Sequence, residues 1–253
     1  MVIVFLGLSL YNNHRDMIYI KGGKIVVSLP SEKQKTYLKT CDPTGFKMMQ
    51  SGQRAYYNEN IQILVTSFLI DKYPVSMDDY IDYCRARKIA VPTITANLRN
   101  KMRTKNLPMV GVTWDEANAY CQYNGKRLPT KQEYEFMLFR NDFFPFDIYQ
   151  SLTILHKNEK VSLLAIGENK IDVNNLGVVD IYSNTFEITS SDACELHQNN
   201  YLINEMQYCK ELRILKKAPF NFNCKYLNIF SEEPVGLSDR YLNIGFRCAM
   251  DAE

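Results

Sequence analysis

The sequence predicts a fold of the α+β class, and three observations carry that expectation. Between residues 110 and 139 two helices are announced in succession. Thr113 stands three residues before Glu116, and Thr130 three before Glu133; at that spacing the hydroxyl accepts from an orphan backbone N–H while the carboxylate reaches back to the cap. Short apolar runs at residues 17–20 and 61–70 read as strands instead. No internal repeat, low-complexity tract or linker divides the 253 residues, a length compatible with one large domain or two small ones.

Taken in order, the chain opens with an apolar run at residues 2–10. It is too short to span a bilayer, and it lacks the preceding positive charge and the small-x-small cleavage site of an export signal. Residues 1–16 are therefore a leader with three readings: an atypical export signal, a surface strand or a disordered arm. Export or display at the cell surface stays open, as does a cytoplasmic location. After the strand at 17–20 and a Gly22-Gly23 turn, residues 28–60 are polar, broken by Pro30, Pro43 and Gly45, and read as loop. Residues 61–70 form one strand-like run. Ser76 then caps a helix with Met77, Tyr80, Ile81 and Cys84 at core-facing spacing, and Asp78, Asp79 and Asp82 lie in its first turns, where carboxylates suit the helix dipole. Residues 89–108 place Arg99, Lys101, Arg103 and Lys105 between Pro92 and Pro108, the look of a solvated connecting loop. A short apolar strand at 110 leads into the first boxed helix, where Trp114, Ala117, Tyr120 and Cys121 share a face and Gly125 supplies a left-handed stop. Beyond the second boxed helix, Phe143-Phe144-Pro145-Phe146 reads as an aromatic turn packed inward.

Composition excludes several classes. With 30 basic and 28 acidic residues, and no Lys/Arg run, nucleic acid is not an expected partner. The histidines, His14, His156 and His197, are isolated, and there is no Cys-x-x-Cys, so a zinc site is not expected. Seven cysteines is an odd number, which leaves at least one thiol unpaired within the chain.

The stretch Gly111-Val-Thr-Trp-Asp-Glu-Ala-Asn-Ala-Tyr-Cys, continuing to Gly125-Lys-Arg-Leu-Pro-Thr-Lys-Gln-Glu-Tyr-Glu-Phe, resembles the family of formylglycine-generating enzymes, or sulfatase-modifying factors. Met17-Ile-Tyr-Ile-Lys-Gly-Gly, Phe68-Leu-Ile-Asp-Lys-Tyr-Pro-Val-Ser, Asn184-Thr-Phe-Glu-Ile-Thr-Ser and Gly245-Phe-Arg-Cys resemble further family signatures in the family's order. The resemblance spans roughly residues 17–250 and implies a single domain over 17–253 with an irregular α+β fold related to C-type lectin folds. Membership does not settle activity, since one fold hosts many functions.

What the resemblance implies for chemistry divides in two. The family's oxidases hold copper(I), a soft ion, between two cysteine thiolates with four residues between them. Counting back without gaps from Gly245, these positions fall on Pro219 and Cys224, so copper is disfavoured; Cys209 could substitute only through a loop insertion. The family's Trp-Glu-Trp stands here as Phe186-Glu187-Ile188, and its Arg-Gly-Gly-Ser-Trp as Lys216-Lys217-Ala218-Pro219-Phe220. Of two family disulfides, the resemblance pairs Cys121 with Cys248, while the other falls on Leu138 and Ile229 and has lost both ends. Calcium is the remaining inorganic candidate: Asn184 and Glu187 match two residues of a family calcium site, the alternative being local hydrogen bonding without an ion.

Two functions follow. One is a binding or structural module that has lost the oxidase, with a protein or carbohydrate ligand on a surface containing Asn221, Asn223, Tyr226, Asn228 and Tyr241. Residues 221–243 have the Asn-, Tyr-, Phe- and Ser-rich composition of the diversified surfaces that some relatives carry. The other is an active copper oxidase, or related metal-dependent oxidoreductase, using Cys224. The family's iron-dependent branch draws histidines from a separate helical domain, whereas this chain has only three scattered ones.

Overall fold

The computed structural model describes residues 16–27, 61–101, 106–139, 163–170, 172–181, 184–195, 209–216 and 232–252. The two boxed helices form as their spacing dictates. Helix α3 (Trp114–Tyr123) starts where Thr113 Oγ1 accepts from Glu116 N at 3.2 Å and Glu116 Oε2 accepts from Thr113 N at 3.0 Å. Helix α4 (Lys131–Phe139) repeats the device: Thr130 Oγ1 accepts from Glu133 N at 3.1 Å and Glu133 Oε2 from Thr130 N at 2.8 Å. Gly125, at φ +70°, turns the chain out of α3 in the left-handed conformation that costs glycine least. Helix α1 (Met77–Arg87) begins at Ser76, whose hydroxyl accepts from Asp79 N.

Three differences from the sequence expectations have tertiary causes. Residues 93–101, expected in a connecting loop, form helix α2 (Thr93–Lys101). Its Thr95 is fully buried with Oγ1 donating to Val110 O at 3.0 Å, and Arg99 pairs with Asp78 of α1 at 2.6 Å. On α1 the buried set is Met77, Tyr80, Tyr83 and Cys84, with Ile81 only half-buried. An aromatic cluster explains the exchange: Tyr83 lies edge-on to Tyr80 and to Tyr120 of α3, ring centroids 5.4 and 5.2 Å apart. The run at 61–70 is two strands, β3 (Ile61–Val65) and β4 (Phe68–Asp71). Gly22 crosses at the break: a Cβ there would lie 2.6 Å from the Val65 carbonyl oxygen, and Gly22 N donates to Ser67 Oγ. The leader apart from Asp16, the 28–60 stretch and the aromatic turn at 143–146 lie outside the described residues.

Strand β1 (Met17–Ile20), β4 and the terminal β9 (Ala249–Asp251) make an antiparallel sheet with β4 in the middle, pairing Ile20 with Phe68 and Ile70 with Ala249. Strand β2 (Gly23–Val27) pairs with β3, and α4 packs against that ribbon. A second sheet has the order β7 (Glu232–Gly236), β6 (Leu212–Lys216), β5 (Phe186–Asp192), β8 (Ile244–Gly245), antiparallel except for the parallel β5–β8 pair. One apolar cluster joins α1, α3 and residues 107–112 to β5, β6 and β8; the other joins α4 to β1, β3, β4 and residues 178–181. Leu107, Met109, Val110 and Val112 are all buried there, but as extended chain, tied by a Ser76–Pro108 bridge, where a strand was expected. No helix among the described residues is long and apolar enough to cross a membrane.

Candidate functional site

The terminal signature carries a fully buried ion pair between β5 and the C-terminal segment. Arg247, 0% exposed, donates through Nε and Nη2 to the two carboxylate oxygens of Glu187, both at 2.7 Å, and Glu187 is 0% exposed as well. Arg247 also donates to the carbonyls of Val179 and Asp71. A guanidinium fork meeting a carboxylate in two parallel bonds is the strongest neutralising geometry a buried arginine can find. Asn184, at φ +74°, clasps the 163–170 segment: its Oδ1 accepts from Leu164 N and its Nδ2 donates to Leu164 O, both at 3.1 Å. Asp180, at φ +52°, accepts from Gly167 N at 2.9 Å. Burial pushes its carboxyl up to about 6, with Asp172 alongside adding to the rise and Arg247 opposing it.

Asn184 and Glu187 are the sequence candidates for calcium, and their placement tests the fit. Calcium takes six to eight oxygen ligands. Glu187 spends both oxygens on Arg247, Asn184 turns its oxygen to a backbone N–H, and a guanidinium stands beside the carboxylate a dication would need. As placed, these two residues do not fit a calcium ion. Among the described residues no group of three His, Cys, Asp or Glu side chains could hold a metal.

The cysteines sort by position. Cys121 on α3 and Cys248 before β9 are disulfide-bonded with Cα atoms 5.6 Å apart, both fully buried. Asp71 braces the joint: its Oδ2 accepts from Cys248 N, its Oδ1 from Lys126 Nζ, and burial raises its carboxyl against the opposing pull of Lys126. Cys194 and Cys209 form a second disulfide that the sequence reading missed; their short separation of 15 residues was the available signal. Cys84 is unpaired and buried on α1, where burial raises its thiol. Pro219, Cys224, Asn221, Asn223, Tyr226 and Asn228 lie outside the described residues; Tyr241 is described and half exposed beside the equally exposed Leu242.

A cleft of about 420 Å³ opens between the start of α1, Asp16 and the 163–179 segment. Asp16, Ser76, Asp79, Asn106 and Lys170 form its polar lining, and Tyr73, Ile166 and Val179 contribute to the rest. No sequence motif marked it, because its residues come from four separate stretches of the chain.

Comparison with known proteins agrees with this architecture. Residues 9–252 match the sulfatase-modifying factor enzyme 1-like domain. The inactive C-alpha-formylglycine-generating enzyme 2 of Bos taurus is 28% identical over a match covering 30% of this chain and 38% of that protein, so the chain spans well under two-thirds of that relative's length. PvdO from Pseudomonas aeruginosa has a similar fold, with a TM-score of 0.59 at 16% identity, covering 95% of this chain and 97% of that one. Treponema denticola variable protein 1 superposes with a TM-score of 0.62 at 12% identity, covering 93% and 95%. With nearly the whole chain inside the match and the fold shared from end to end, this protein belongs to the formylglycine-generating-enzyme, or sulfatase-modifying-factor, family.

Proposed function

We propose that this chain is a binding module in which the family's copper-dependent oxidase centre is not assembled. The observation that carries the reading is the Cys194–Cys209 disulfide. The ungapped count puts Pro219, which has no ligand atom, at the first copper position and Cys224 at the second. Cys209 was the substitute nearest in sequence, and its sulfur is bonded to Cys194. Cys121 and Cys248 are likewise bonded to each other, and Cys84 is sealed in the aromatic core of α1. Copper(I) held by thiolates needs a second soft donor close to the first, and none of these five sulfurs, the cysteines among the described residues, supplies it; Cys41 and Cys224 lie outside them. Similarity to a bovine protein described as inactive points the same way. The ligand surface in this reading is the 221–243 segment, with Tyr241 and Leu242 exposed at its end.

The test is incubation of a sulfatase-type cysteine peptide with the protein, copper and oxygen, followed by mass spectrometry. The peptide mass should stay unchanged. Conversion to the aldehyde, abolished by Cys224→Ala, would return the chain to the oxidases.

A further inference from the structure

We propose that the cleft between the start of α1 and the 163–179 segment binds a neutral saccharide. The proposal rests on the binding-module reading and names a ligand class and a second place for it, away from the 221–243 segment.

The volume, about 420 Å³, falls within the roughly 300–1,000 Å³ of small-molecule sites. The lining divides by chemistry. Asp16 offers acceptors, and Asp79 one oxygen beyond the Oδ2 that takes the Ser76 hydroxyl; Lys170 has donors beyond the one given to Gly167 O, and Asn106 carries both kinds. The rest of the lining includes hydrocarbon from Ile166 and Val179 and the ring of Tyr73, 37% exposed. A sugar ring divides the same way: its hydroxyls each donate and accept around the edge, and its C–H groups form an apolar face. Charged ligands fit less well. An anion would meet two carboxylates, and a polyamine would meet Lys170 and the positive end of α1. A ligand bearing many hydroxyls and no charge uses both halves of the polar wall and opposes neither.

The walls are held before any ligand arrives. Ile166 N donates to Asn106 O at 2.8 Å, joining the two sides of the mouth. Gly167 is pinned by Asp180, Leu164 by Asn184, and Val179 N donates to Lys72 O at 2.9 Å. Asn106, at φ +59°, and Gly167, at φ +69°, occupy the left-handed region that asparagine tolerates and glycine adopts freely. Tyr73 is seated as well: its Cε1 lies 4.0 Å from where a Cβ on Gly167 would be, and Lys72 Nζ stands 5.2 Å from its ring centroid. A site fixed in this way pays little ordering entropy on binding.

The experiment is saturation-transfer NMR on the full chain with the methyl glycosides of glucose, galactose, mannose and N-acetylglucosamine, and with spermidine and inorganic phosphate as charged probes. At least one glycoside should show transfer, strongest on its ring C–H protons, with millimolar affinity. Tyr73→Ala should weaken it about tenfold, and Asp16→Asn, which keeps an acceptor, only about threefold. Asp16 is exposed, so thermal melting should be unchanged in its variant; Tyr73 is packed beside Gly167, so binding by Tyr73→Ala is measured well below that variant's own melting midpoint. No transfer from any glycoside would overturn the proposal, as would glycoside binding untouched by Tyr73→Ala. Spermidine binding abolished by Asp16→Asn, or phosphate binding at the cleft, would replace it with a charged-ligand site. The peptide-aldehyde assay on the same preparation separates the failures. Without aldehyde and without sugar, only the cleft proposal falls; with aldehyde formed, the binding-module reading falls too.

Discussion

The two disulfides sit in opposite surroundings. Cys121–Cys248 spans a separation of 127 residues and lies in the core, both partners fully buried. Cys194–Cys209 spans 15, joins two single turns of 3-10 helix, and leaves Cys194 exposed. In the chain-entropy account the longer loop is worth about 5 kcal/mol and the shorter about 3, because closure entropy grows only logarithmically with length. Length therefore separates them modestly, and environment separates them more. Around Cys248 the chain is also held by Asp71, by β9 pairing to β4, and by the neighbouring Arg247 with its buried carboxylate partner. At Cys194 the turn is held locally, Asp192 Oδ1 accepting from Cys194 N. The core disulfide is one strand of a network; the peripheral one holds a local loop.

Three measurements would break or sharpen that contrast. Replacing Cys121 and Cys248 together by alanine should remove about 5 kcal/mol from urea-unfolding stability, against about 3 kcal/mol or less for Cys194→Ala with Cys209→Ala. Equal losses, or the reverse order, would mean the buried network adds nothing to the long crosslink. Next, Glu187→Ala should cost about 3–5 kcal/mol with both disulfides intact, since it strands Arg247 as a buried charge. A loss under about 1 kcal/mol, the size of a surface pair, would show that water reaches Arg247 and that the network is not sealed.

The smallest effect concerns Asp180, a member of the network whose buried carboxyl opposes it. Asp180 titrates at about 6 in the fold against an ordinary 3.8, chiefly through burial, while Gly167 N–H, Arg247 and Asn184 hold it down and Asp172 pushes it up. A raised carboxyl contributes stability that is complete below about pH 4 and lost as the pH climbs through 6. Asp180→Asn retains an acceptor for Gly167 and cannot ionise. The wild type should therefore lose about 2–3 kcal/mol relative to this variant between pH 4 and pH 7. Asp71, also raised by burial, is common to both proteins and cancels in the difference. Parallel pH profiles would mean that Asp180 keeps its solvent on folding.

Much of the local architecture was legible in the sequence, and the reason is range. A capping box is settled by residues three apart, so Thr113–Glu116 and Thr130–Glu133 announced α3 and α4 before any packing was known. The same holds for Ser76 and for Gly125, whose turn needs only its missing side chain. The family resemblance extended this reach, pairing Cys121 with Cys248 and singling out Asn184 and Glu187. What it left open was what those residues face. Glu187 was a calcium candidate through its match to the family's site; its partner Arg247 stands 60 positions away, and the parallel pairing of β5 with β8 brings them together.

By itself, then, the chain determined the starts of α1, α3 and α4, the stop at Gly125 and its family, because each depends on neighbours in sequence or on motifs read in order. Tertiary structure decided the rest. Helix α2 exists because Thr95 is buried against Val110 and Arg99 reaches Asp78, and Tyr83 displaces Ile81 because Tyr120 and Tyr80 are there to meet it. The cleft exists only once Asp16, Tyr73, Asn106 and Lys170 are carried together from separate stretches. Burial and charge pairing act over distances in space, and no spacing along the chain encodes them.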